Sequence, residues 1–71
     1  MPRPLDKDQY TVVVAQRTQT PPLWEWEIHR NGEPLPVPLR DGYYKSKTTA
    51  GAAGRVALRE FLEALDREQN A

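Results

Sequence analysis

Residues 23–39 read Leu23-Trp24-Glu25-Trp26-Glu27-Ile28-His29-Arg30-Asn31-Gly32-Glu33-Pro34-Leu35-Pro36-Val37-Pro38-Leu39. The first half alternates strictly. Trp24, Trp26 and Ile28 fall on one face of an extended chain, and Glu25, Glu27 and His29 on the other. Asn31-Gly32 suits a two-residue type I′ turn, which requires positive φ at both central positions. Such a turn sets the register: Arg30 faces Glu33, Ile28 faces Leu35, Trp26 faces Val37 and Trp24 faces Leu39. All three apolar pairs then share one face, as a stable antiparallel pair requires. Prolines 34, 36 and 38 alternate, so the amide donors they lack all belong to one edge. Glu33 to Leu39 is therefore expected to be an edge strand whose free side is blunted by proline.

Upstream, Tyr10 to Arg17 is short and β-branched, a strand by composition. Thr18 to Pro22 carries two prolines and small polar residues, and reads as a loop. Met1 to Asp8 is polar with prolines at 2 and 4, and is expected to be a disordered lead-in. Downstream, Arg40-Asp41-Gly42 is a break or bulge, after which Tyr43 to Lys47 extends or restarts the strand. Tyr43 and Tyr44 would then point to opposite faces, one into the core and one outward. Thr48 or Thr49 is placed to cap a helix from about Ala50 to Arg67. On that helix Ala50, Ala53, Gly54, Ala57, Leu58, Phe61, Leu62, Ala64 and Leu65 form one stripe, with Arg55, Arg59, Glu63, Asp66 and Arg67 opposite. The small first half of the stripe should lie close to the sheet, where the tryptophans already fill space. The expected fold is α+β: a three-stranded antiparallel meander packed on one C-terminal helix, βββα. One domain is expected over residues 9–68, with residues 69–71 frayed.

Seventy-one residues allow one domain, near the lower limit for a self-sufficient core. The chain has no cysteine and one histidine, which removes disulfides and thiolate zinc sites. Ten basic residues balance ten acidic ones, so the broad field of a nucleic-acid or anionic-membrane binder is missing. No apolar run reaches membrane-spanning length, and the N-terminus lacks the apolar stretch of a signal peptide. A cytoplasmic bacterial-type protein with no membrane contact is expected.

Few residues suggest chemistry. Glu25, Glu27 and His29 at alternate positions of one strand could hold a metal or do acid–base work, but no fourth ligand is evident. A solvated strand face is the simpler reading. Gly51 and Gly54 do not form a phosphate loop, because the lysine precedes them. No serine or threonine sits in a nucleophile setting. No catalytic residue, metal ligand or cofactor is expected. Arg40, Lys45, Lys47, Arg55 and Arg59 could form a basic patch at the strand–helix junction that grips phosphates; ordinary surface charge is the alternative. Trp24 and Trp26 could stack bases if exposed, but their register makes them core.

The order of strand, Asn31-Gly32 hairpin, strand, Tyr44-Lys45-Ser46-Lys47-Thr48-Thr49-Ala50 and helix resembles the YegP-like family of small bacterial proteins over roughly Trp24 to Val56. Their unit places an Asn-Gly hairpin before a Tyr-x-Ser-Lys-x-x-Ala segment and a short helix. This resemblance implies a sheet-plus-helix unit capable of self-association. The element order is also similar to the three-stranded DNA-binding domains of plant transcription factors and some phage integrases, which read the major groove with the outer sheet face. Here Glu25 and Glu27 occupy that face and would repel phosphates.

The first strand has no such blunting. If Val12 and Val14 face the core, Thr11, Val13 and Ala15 face away from the helix beside an open edge, which is a natural pairing site. The expected function is a non-enzymatic protein–protein interaction module, homodimeric through this strand. A nucleic-acid-binding βββα domain is the alternative.

Overall fold

A computed structural model describes residues 7–69. Its elements are β1 (Tyr10–Gln19), β2 (Pro22–Arg30), β3 (Glu33–Pro34), β4 (Arg40–Tyr44) and α1 (Lys47–Gln69). All strand pairs are antiparallel, with β2 in the middle: β1 lines one side, and β3 and β4 share the other. One helix covers one face of this sheet, so the expected α+β architecture is present. Of the expected lead-in over residues 1–8, residues 1–6 lie outside the described residues, and a 3-10 turn at Lys7–Gln9 leads into β1. Gln69 ends the helix, and residues 70–71 lie outside the description.

The β2 alternation holds at Trp26 and Ile28, but Trp24, expected in the core, is only half-buried. Ile28 is fully buried and Trp26 is 7% exposed, whereas Glu25, Glu27 and His29 lie half-buried on the outer face. Asn31 (φ 53°) and Gly32 (φ 82°) take the two positive-φ positions of the tight turn, and Arg30 pairs with Glu33 as expected.

Beyond Pro34 the expected third strand fails. Ladder pairing stops after His29–Pro34 and resumes only at Glu27–Arg40. The partner of Trp26 is Asp41, not Val37, and that of Trp24 is Tyr44, not Leu39. Ile28 does not face Leu35 across a ladder; its amide donates to the Leu39 carbonyl at 3.0 Å. Val37 is 82% exposed. The cause is the prolines. Each fixes φ near −65°, short of the extended values of a pleated strand, and pushes the preceding residue toward polyproline geometry. The chain bends at residues 36–37, leaving Leu35 and Leu39 half-buried and Val37 turned to solvent. Residues 35–39 therefore leave the sheet, and β4 takes the place beside β2.

Two further expectations shift. The loop expected over Thr18–Pro22 shrinks to a turn at residues 20–21, containing a cis Thr20–Pro21 bond. Pro22 opens β2, a position where proline is tolerated. The Thr18 hydroxyl donates to the Pro21 carbonyl at 2.6 Å and closes this turn. The helix starts at Lys47 rather than Ala50, and its cap is Ser46 rather than Thr48 or Thr49. Ser46 Oγ accepts the Thr49 amide at 3.0 Å, the Ser46 carbonyl accepts the Ala50 amide at 3.1 Å, and the Ser46 and Thr49 hydroxyls hydrogen-bond to each other. Once β4 ends at Tyr44, Ser46 is the first side-chain acceptor able to reach the free amides of the first turn.

The small half of the helix stripe lies against the sheet as expected. Gly54 is buried, and a Cβ there would stand 2.5 Å from Val12 Cγ1 and 2.8 Å from Trp26 Cβ. Ala50 is fully buried. Further along, the Phe61 ring meets Tyr10 edge-on, with centroids 5.3 Å apart. From Gly51 against Val14, through Gly54 against Val12, to Phe61 against Tyr10, the helix runs antiparallel to β1. Among the described hydrophobic residues, only Trp26, Ile28 and Ala50 are buried. Val12, Val14, Leu58, Leu62 and Leu65 remain half-buried.

Candidate interaction surfaces

The open side of the sheet belongs to β1, whose residues 10–16 pair one-to-one with residues 30–24 of β2. The pairing puts Val12 opposite Ile28 and Val13 opposite Glu27. The Ile28 amide points away from β1, toward Leu39. Residues directly opposite share their hydrogen-bonding state in an antiparallel ladder, so Val12 also turns its amide and carbonyl away from β2. The Asn31 amide, one step past Arg30, does point to β1 and reaches the Gln9 carbonyl at 2.8 Å, which gives the same phase. The outward backbone groups are therefore those of Tyr10, Val12, Val14 and Gln16.

Thr11, Val13 and Ala15 use their backbone groups on β2 and contribute side chains to the outer face. All three are exposed, Val13 by 38%. The stretch from Tyr10 to Gln16 has no charged residue and no proline, the two features that usually guard an edge. A bulge ends it: pairing slips between Gln16 and Thr18, and Gln16 Nε2 donates to the Thr18 carbonyl at 3.0 Å.

The helix adds a flank above this edge. Gly51 touches Val14 of β1, and Leu58 lies two turns along the same side. Next to it, Arg55, Leu58, Arg59, Leu62 and Glu63 line a groove of about 320 Å³.

The five basic candidates are split between surfaces. Arg40 pairs with Glu27 and so lies on the outer sheet face. Arg55 and Arg59 lie on the helix, which covers the opposite face. Lys45 lies between β4 and the helix, Lys47 opens the helix, and both are exposed. Arg40 is therefore separated from Arg55 and Arg59 by the thickness of the sheet.

The three strand-face candidates do not converge either. His29 Nε2 and Glu27 Oε1 are 2.9 Å apart, while Glu25 turns to Arg17, 3.4 Å away. Among the described residues, no group of three metal-ligating side chains comes together.

The outer face also holds an arrangement absent from the sequence reading. Arg17, the bulged residue of β1, lies over the Tyr43 ring at 4.4 Å from its centroid as well as beside Glu25. Tyr43 has φ 71° and is 63% exposed. Its neighbour Tyr44 turns inward, accepting the Trp26 indole N–H at 3.3 Å and donating to Asp41 at 3.4 Å. This is the division of the two tyrosines that the sequence suggested. Arg40-Asp41-Gly42 marked a bulge in the sequence, but nothing local linked it to the bulge at Arg17.

No protein-family model, curated protein or solved structure matches this chain.

Proposed function

We propose that this chain is a small non-enzymatic interaction module that accepts a protein strand along the open edge of β1, and that the strand comes from a second copy. The observation that supports it most is the Tyr10–Gln16 edge, which is uncharged, free of proline and lined with outward-facing backbone groups. Adding a strand there satisfies those groups and covers Val13. It also extends a core in which few apolar side chains are fully buried, a common need in domains this small. The nucleic-acid reading has less support, because Arg40 lies across the sheet from Arg55 and Arg59 and the outer face bears Glu25 and Glu27.

Light scattering across a concentration series tests this. The mass should climb from 8.1 kDa to twice that value between micromolar and millimolar protein. Val13→Lys should hold it at the monomer value with an unchanged circular dichroism spectrum, since the new lysine lies opposite Glu27. A wild-type chain that remains a monomer at millimolar concentration contradicts the proposal.

A further inference from the structure

Building on that reading, we infer that the two copies join β1 to β1 antiparallel about a two-fold axis perpendicular to the sheet and passing at Val13. Three features point to this register. The unbulged run of β1 spans Tyr10 to Gln16, and Val13 is its midpoint. Centred there, Tyr10 meets Gln16 and Val12 meets Val14 of the partner chain, so all four outward-facing residues find hydrogen-bonding counterparts. An axis moved to Val12 or Val14 leaves Gln16 or Tyr10 outside the shared ladder.

Side-chain chemistry agrees. On the outer face Val13 meets its own copy and Thr11 meets Ala15, so an exposed valine is covered and no like charges are brought together. On the inner face valines 12 and 14 extend the apolar layer beneath the helices.

The helix position fits as well. The helix lies over the seam between β1 and β2, where Gly54 touches both Val12 and Trp26. Its axis is thus half a strand spacing inside β1, and the two-fold is half a spacing outside. With strands about 4.8 Å apart, the two helices lie about 10 Å from each other, at the outer end of ordinary helix packing distances. They run antiparallel; Gly51 adds no side chain to the side each turns to its copy, and the exposed Arg55 side chain, whose Nη1 lies beside Gly51, has to swing away from the seam. The result is a continuous sheet across both copies, with both helices on one face.

Because the chain has no cysteine, single substitutions read the register directly. At the axis Val13 forms a non-hydrogen-bonded pair, with Cα atoms about 4.5 Å apart, within disulfide range. Under oxidised glutathione, Val13→Cys should cross-link into a dimer on the order of tenfold faster than Thr11→Cys or Ala15→Cys. Thr11→Cys and Ala15→Cys mixed together should form a heterodimer. If the wild type dimerises but Thr11→Cys or Ala15→Cys alone links fastest, the inferred axis is wrong and the interaction module stands. If none links and light scattering shows only monomer, both fail. Circular dichroism of each variant confirms that it has folded.

Discussion

Gly54 lies so close to Trp26 that a methyl group on it would stand 2.8 Å from the indole-bearing Cβ, with Val12 Cγ1 nearer still at 2.5 Å. Neither neighbour is the free end of a long side chain. Val12 is stiff at χ1, and a tryptophan Cβ moves only with its backbone. Helix position and sheet identity are fixed together at this contact.

Gly54→Ala should therefore destabilise the domain by about 1–3 kcal/mol through overpacking, even though alanine is the better helix former by about 1 kcal/mol. Gly51→Ala should do the reverse. A Cβ there would find Arg55 Nη1 at 3.4 Å and Val14 Cγ2 at 3.7 Å, and the arginine can move. A gain of up to about 1 kcal/mol is expected. Urea denaturation at low protein concentration, where association is absent, gives both signs.

The proline segment separates two registers. Val37 is 82% exposed, so Val37→Asp should change stability by less than about 0.5 kcal/mol. Ile28 is fully buried, and Ile28→Ala should cost about 2–5 kcal/mol. Were Val37 packed across from Trp26, both substitutions would be severe, and thermal melts of the two variants would show it.

Ser46→Ala removes the acceptor for the Thr49 amide and should cost about 1 kcal/mol. Thr48→Ala should cost much less, because Thr48 is an exposed residue within the first turn. Equal losses at the two positions, measured by denaturant melts, would contradict Ser46 as the cap.

Much of the fold was legible because its signals are local. Asn31-Gly32 specifies its own turn, Trp24 to Ile28 alternates at period two, and the helical stripe from Ala50 to Leu65 can be counted. The fate of Leu35 to Leu39 was not legible from pattern alone. Its apolar residues alternate as a strand's do, while its prolines restrict the backbone, and the chain bends at residues 36–37 instead of continuing the ladder. The sequence reading places the helix cap at Thr48 or Thr49 and misses Ser46, which carries the same kind of acceptor; the end of β4 decides which one reaches the free amides. At the candidate surface, alternation sufficed to put Thr11, Val13 and Ala15 outside. Which amides point outward depends on the phase of the ladder, which the Ile28–Leu39 bond sets from across the sheet.

Amide hydrogen exchange along β1, followed by NMR from micromolar to millimolar protein, is the most direct measurement of the open edge and its occupant. The amides of Thr11, Val13 and Ala15 should be protected throughout, and those of Tyr10, Val12, Val14 and Gln16 should become protected only as concentration rises. If these four still exchange as freely at the highest concentration as at the lowest, β1 does not take up a second chain.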